Sequence, residues 1–310
     1  MTGGPAIAQT PRAPAICVCV CTFRRPEFLG RLLREIAKQH TEDAFSHSVV
    51  VVDNDREESA RETVLAFARE SAVPVRYCTQ PVQNIALARN EAIRQANGEF
   101  VALIDDDEFP EERWLLTLLR ALDASNADGV LAPVLPHFET APPDWIVKGG
   151  FFDRPAQRTG EVLDWTRTRT GNAMLRRALF ADGAEPFDPR FGSGGEDRDF
   201  FRRKIEEGRV FIWCNEAPVF ETVPPARWKR ATLLRRALLR GKMAFEGARS
   251  KPVSVAKSML AVLLYTAGLP LFLVCGQHIF MKYLIKDCDH LGKLLACAGI
   301  DLVREKYVEG

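Results

Sequence analysis

A chain of 310 residues can hold one large α/β domain with an appendage, or two modest domains with separate cores. Its 42 lysines and arginines nearly balance its 41 aspartates and glutamates, and the net charge of +1 gives no reason to expect nucleic acid as a partner. None of the eight cysteines has the paired spacing of a zinc site, and no signal-like leader opens the sequence, so reduced thiols in a reducing compartment are expected.

Residues 1–14, rich in proline and glycine, predict a disordered lead-in. From Ala15 to Pro133, short β-branched or apolar runs alternate with stretches of helical period, the pattern of a mostly parallel sheet between helices. Strands are predicted over Ala15–Cys21, Ser48–Val52, Val75–Cys78, Phe100–Ile104 and Gly129–Ala132. Period-two spacing puts Cys17, Cys19 and Cys21 on one face of the first strand, where neighbours cannot bond to one another. Phe28, Leu29, Leu32, Leu33 and Ile36 mark an amphipathic helix with Pro26 as its first residue. Further helices are predicted over Ala60–Glu70, Ile85–Ala96 and Glu111–Leu122.

Residues 133–169 hold five prolines and no sustained period, and read as long loops. Regular structure resumes at Asn172–Arg176, followed by a helix over Glu196–Glu207, stopped by Gly208, and a strand over Arg209–Trp213. Beyond Pro225 comes a helix carrying Arg227, Lys229, Arg230, Arg235, Arg236, Arg240 and Lys242, then an uncharged run from Ser258 to Met281. That run is long enough to span a bilayer, but Gly268 and Pro270 interrupt it and both flanks are basic. Two short helices lying in or dipping into a membrane surface are expected; a true span and a buried hairpin are the alternatives.

In open α/β sheets, ligands bind beyond the carboxyl ends of the strands. The first strand here runs into Thr22, Phe23, Arg24 and Arg25, the second ends in Asp53, Asn54 and Asp55, and the fourth in Asp105, Asp106, Asp107 and Glu108. Carboxylates this crowded repel one another unless a cation or proton sits among them. A hard divalent metal resolves the conflict, because Mg²⁺ takes one or two protein carboxylates and completes its shell with phosphate oxygens and water, as a nucleoside diphosphate leaving group would supply. A solvated acidic turn ahead of the next helix is the other reading. A second acidic site, Gly194-Gly-Glu-Asp-Arg-Asp199, reads as a close-approach loop or an ordinary helix start. His137, alone in its loop, has no partner at metal spacing.

The motifs Cys21-Thr-Phe-Arg-Arg-Pro26, Val51-Val-Asp-Asn-Asp55, Asn84-Ile-Ala-Leu-Ala-Arg-Asn90, Leu103-Ile-Asp-Asp-Asp-Glu108, Thr170-Gly-Asn172 and Gly194-Gly-Glu-Asp197 occur in that order. This combination resembles the family 2 glycosyltransferases of GT-A fold, most of all the bacterial exopolysaccharide glucosyltransferases of the succinoglycan-assembly type. The resemblance covers roughly residues 15–224 and implies a domain over 15–225, with a nucleotide-sugar half at 15–133 and an acceptor half at 134–225. Residues 226–310 then form a helical, membrane-associated appendage.

The same resemblance implies site roles. Asp53 would accept from a uracil ring, with Thr22, Phe23, Arg24 and Asp55 around the base. Arg89 and Asn90 would face ribose or phosphates. Asp105 and Asp107 would hold Mg²⁺ or Mn²⁺, with Asp106 between them on the donor. Asp197 would be the general base of an inverting displacement, Glu196 would position the acceptor, and Trp145, Asn172 and Gly195 would line the acceptor side. The implied activity is transfer of a sugar from a UDP-sugar to a hydroxyl of a lipid-linked saccharide, at the cytoplasmic face of a bacterial inner membrane, by a peripheral or monotopic protein. Phe220 and Glu221 stand where the family often places a metal-ligating histidine, and Arg227-Trp228 lack the glutamine of the processive signature, which favours single additions. A non-catalytic nucleotide-sugar scaffold would lose the base, and a sugar nucleotidyltransferase would need a glycine-rich loop that Thr22–Pro26 lacks.

Overall fold

Strand β1 (Ala15–Thr22) is buried on both faces, which only a sheet covered on both sides allows. The computed structural model describes residues 13–181, 185–192, 194–246 and 250–300, so the predicted lead-in lies outside the described residues through position 12. The elements that follow β1 are α1 (Pro26–Ala37), β2 (Ser46–Asp53), α2 (Arg61–Glu70), β3 (Val75–Thr79), α3 (Ile85–Gln95), β4 (Phe100–Ile104), β5 (Glu108–Pro110), α4 (Trp114–Asp123) and β6 (Gly129–Leu131). Next come β7 (Val134–His137), α5 (Asp144–Gly149), β8 (Asn172–Arg176), α6 (Glu196–Glu206), β9 (Phe211–Trp213), β10 (Val219–Thr222), α7 (Pro225–Trp228), α8 (Arg230–Glu246), α9 (Lys251–Val274) and α10 (Gln277–Cys297).

The main sheet has the order β3-β2-β1-β4-β8-β6-β9. Strand β8 runs antiparallel to β4 and β6, and the other pairings are parallel. Alternate residues of β1 face opposite layers. Ile16, Val18 and Val20 meet Leu29, Leu32, Leu33 and Ile36 of α1, Val64 of α2 and Trp114 and Leu118 of α4. Cys17 and Cys19 meet Ala86, Ala88 and Ala92 of α3 and Phe200 and Phe201 of α6. Each fully buried leucine or isoleucine of α1 contributes about 1.5–3 kcal/mol of transfer free energy.

The chain forms two units by its internal packing. Among the described residues, one contains the chain up to Leu135 together with Arg154–Glu221; the other contains Pro136–Asp153 and the chain from Thr222 to Ile300. The core of the second gathers Ile146, Val223, Trp228 and Leu233, with Phe138, Trp145, Phe151, Phe152 and Ile285 against it.

Two expectations need correction, and one strand pair was not expected. The stretch 133–169 is not all loop: it contains β7, α5 and a 3₁₀ turn at Trp165–Arg167, elements too short to show a period. Short strands β5 and β10 pair antiparallel, with Glu221 opposite Glu108 and Phe220 stacked on Phe109. The apolar run does not break at Gly268 and Pro270, because α9 passes through both. A Cβ at Gly268 would stand 2.8 Å from the Phe272 ring, which stacks on Tyr283 at 3.9 Å, so this glycine makes room within a helix. The chain turns instead at Gly276, whose φ of +120° suits only glycine.

Candidate active site

Because β1 and β4 are parallel neighbours, the residues after each emerge side by side. Thr22 Oγ1 donates to Asp106 Oδ2 at 2.8 Å, and Arg25 Nη1 donates to Asp106 Oδ1 at 3.2 Å and Asp107 Oδ2 at 3.3 Å. Asp106 is therefore buried and satisfied through both oxygens; burial still raises its pKa, against Arg25 and Thr22. Asp107 is pushed up to about 7 by burial and by the charges of Asp106 and Asp105. Glu108, also buried, lies well above the usual carboxylate range through burial and through Asp105 and Asp107. It accepts from the Asp105 backbone N at 3.1 Å. The Asp105 side chain is 47% exposed and is the open member of the run.

Excess negative charge of this kind is relieved by a cation, and the available donors are all hard carboxylate oxygens. Among the described residues no three acidic, histidine or cysteine side chains are already gathered around one point. Asp105, the open carboxylate, and Asp107, held by Arg25, carry hard oxygens of the kind a divalent ion takes.

Gly171 fixes the far side of this cluster. A Cβ there would lie 2.8 Å from Glu108 Oε1 and 3.2 Å from Asp105 Oδ2, so a glycine is what lets β8 approach the carboxylates.

The end of β2 differs from expectation. Asp53 is completely buried; its Oδ1 accepts from Asp55 N at 3.0 Å, and its Oδ2 from Ala60 N at 2.7 Å and Tyr77 Oη at 3.0 Å. Burial raises its pKa in spite of these donors. Asp53 organises the loop after β2 and does not stand open to a base. Asp55 receives Arg24 Nε at 3.1 Å, and the Arg24 guanidinium lies 5.2 Å from the Phe23 ring centroid. Arg24 has φ +52°, a conformation costly for a residue with a Cβ and here held by the Asp55 pair.

Arg89 and Asn90 separate in role. Arg89 Nη2 donates to Asp105 Oδ1 at 3.2 Å, and Nη1 pairs with Glu196 Oε1 at the start of α6. One buried guanidinium thus joins both acidic motifs. Glu196 Oε2 is buried with no hydrogen-bond partner. Asn90 does not face a ligand site, because its amide is spent on Phe187: Nδ2 donates to Phe187 O at 2.7 Å and Oδ1 accepts from Phe187 N at 2.9 Å.

Asn172 is likewise a buried framework residue. It accepts from Trp114 Nε1 and donates to the carbonyls of Pro133 and Ala217, each at 2.9 Å, which removes it from the acceptor side. Trp145 packs in the core of the second unit, edge-on to Phe151 at 5.3 Å, and is a packing residue there.

Gly194 and Gly195 adopt φ of +133° and +97°, so the loop turns sharply into α6 and presents Glu196 and Asp197 in its first turn. Asp197 is partly exposed, and its Oδ1 accepts from Arg198 N at 2.7 Å. Arg169 has its pKa lowered by burial and by Arg154, with Asp197 and Glu108 acting in the opposite sense. Arg25, Arg154 and Arg169 were given no role by the sequence; Arg25 lies within a quoted motif and Arg169 adjoins one, and that position was the available signal. Arg154 pairs with Glu221, which balances the acid that faces Glu108.

The family model described as glycosyl transferase family 2 matches residues 17–183. The succinoglycan biosynthesis protein ExoM of Rhizobium meliloti (strain 1021) is 36% identical over 232 residues, 73% of each chain. Among solved structures, S. aureus TarS 1–349 in complex with UDP-GlcNAc aligns with a TM-score of 0.54 at 16% identity, covering 95% of each chain. The chain spans 55% of the longer TarS structure. The mannosyltransferase PcManGT from Pyrobaculum calidifontis, in complex with GDP-Man and Mn²⁺, aligns with a TM-score of 0.59 at 18% identity, over 91% of this chain and 87% of that one.

Proposed function

The chain belongs to glycosyltransferase family 2 and has the GT-A fold, and from that premise we propose that it moves a sugar from a UDP-sugar to a hydroxyl of a lipid-linked saccharide, with inversion. The observation that carries this reading is Arg89, which ties Asp105 to Glu196 and so brings the acidic run and the Gly-Gly-Glu-Asp turn into one site.

In this reading Asp197 takes the proton of the acceptor hydroxyl as the oxygen attacks the anomeric carbon from the face opposite the diphosphate. Asp197 suits the role by its place in the first turn of α6, where it is partly exposed next to the buried Glu196. Glu196 is held by Arg89 and positions the acceptor side through its remaining oxygen. Asp105 and Asp107 would hold Mg²⁺ or Mn²⁺, which when bound supplies positive charge for the departing diphosphate. Arg25 keeps Asp106 and Asp107 in place, and Thr22 locks Asp106 from the other side. The base is expected between the Phe23 ring and the Arg24–Asp55 pair, with Asp53 supporting that loop from beneath.

Relatedness to a polysaccharide biosynthesis protein and one helix apolar enough for lipid support work at a membrane surface, on its cytoplasmic face. The test is a panel of UDP-sugars and lipid-linked saccharides with Mg²⁺, Mn²⁺ or chelator. Metal-dependent transfer from one UDP-sugar supports the reading; absence of UDP binding under every condition sinks it. UDP binding without turnover on any acceptor would favour the scaffold instead.

A further inference from the structure

Resting on the membrane-surface reading above, we propose that α9 docks flat on an anionic lipid bilayer, in the plane of the interface, with its outer apolar face toward lipid and α10 at its back.

α9 has 24 residues and is uncharged from Ser258 to Val274. One side seats on α10 at heptad spacing. Ser258 Oγ is 3.1 Å from His290 Nδ1, the Tyr265 ring lies 5.8 Å from Tyr283, and Phe272 stacks on Tyr283. The other side presents Leu260, Leu263, Leu264, Leu271 and Val274, each at least 60% exposed. An apolar stripe of this length facing water marks an interaction surface.

The neighbouring helices decide its orientation. α10 meets α9 through Tyr283, Asp287 and His290, and meets α8 through Asp289 and Gly292, positions about half a helical turn round. Gly241 and Gly292 permit the close crossing with α8, since a Cβ at either would lie within 2.2 Å of a carbonyl oxygen across the contact. α10 is therefore the middle layer and α9 an outer one.

Thr266, near the middle of α9, donates to Asp287 Oδ2 at 3.0 Å. Were α9 to cross a bilayer, α10 would carry Lys282, Lys286, Asp287 and Asp289 toward mid-depth, where charges are strongly disfavoured. With α9 in the plane, those charges stay on the aqueous side. Exposed Lys251 and Lys257 at the start of α9, and exposed Lys282 and Lys286 on the half of α10 that follows the turn, are placed to meet phosphate headgroups. That charge complement favours anionic lipid over a second copy of this chain.

The test floats the purified full chain with vesicles of phosphatidylcholine alone or mixed with phosphatidylglycerol. The wild type should bind the mixed vesicles, and Leu263→Asp/Leu271→Asp should lose binding by roughly tenfold or more. Lys251→Glu/Lys257→Glu should lose only the preference for anionic lipid. Metal-dependent UDP binding, read on the same samples, should be unchanged in both variants, which also shows that they fold. Equal vesicle binding by the leucine variant, or a wild-type dimer that this variant splits with no vesicle binding by either, would overturn the proposal. A membrane-impermeant maleimide should label Cys275, exposed at the α9–α10 turn, on intact vesicles. Protection until detergent is added would mean that α9 crosses, and would overturn the in-plane orientation. Vesicle binding without UDP binding would leave the docking standing and sink the donor reading.

Discussion

Arg89 and Glu196 form a buried ion pair that fastens the helix after β3 to the first turn of α6. Removing one partner of a buried pair strands a charge, whereas removing both is far milder. Arg89→Met should therefore destabilise the fold by about 3–5 kcal/mol, and adding Glu196→Gln should recover part of that loss in urea unfolding. Additive losses would show that the two side chains do not depend on each other.

Asp107, raised to about 7 in the fold from an ordinary value of 3.8, carries a definite sign for stability. Between those values the folded protein binds more protons than the unfolded chain, so this group makes stability fall as pH rises through the window. Without divalent ions, urea unfolding should show that decline, and Asp107→Asn should flatten it. Asp106 and Glu108 act in the same direction, so some slope should remain. Mg²⁺ should also reduce the slope, since a bound cation replaces the proton.

Gly171→Ala places a methyl against Glu108 and Asp105. The carboxylates must shift, and metal-dependent UDP affinity should drop on the order of tenfold by calorimetry, an effect of about 1.4 kcal/mol. Unchanged affinity would remove Asp105 from the donor site.

Asn172→Ala leaves Trp114 Nε1 and the Ala217 carbonyl without a partner, while the Pro133 carbonyl keeps its bond from Val219 N at 3.0 Å. A loss of about 1–3 kcal/mol for each group left unsatisfied is expected in denaturant unfolding, with the acceptor KM of the remaining folded enzyme unchanged. A raised KM at unchanged stability would return Asn172 to the acceptor side.

These residues also mark where the sequence was readable. Alternation in Ala15–Thr22 and the stripe Leu29, Leu32, Leu33 and Ile36 foretold a covered sheet, because burial on a period leaves a local trace. The acidic run was equally visible, since crowded carboxylates need a partner wherever they fold. Asp53, Asn90 and Asn172 misled for one shared reason: a polar side chain at a strand end or on the helix after a strand looks the same whether its partner is a ligand or a backbone group elsewhere in the chain. Arg89's second partner lies 107 positions away, a relation that no local pattern encodes. Pro270 misled because packing along α10 outweighs one missing backbone donor.

The most direct measurement of the central claim compares Asp197→Asn with the wild type for UDP binding and for sugar transfer in the presence of metal. Retained metal-dependent UDP binding with transfer reduced by about 10²-fold or more is the expected result for loss of the general base. Transfer at the wild-type rate would contradict the assignment of Asp197 and the inverting mechanism built on it.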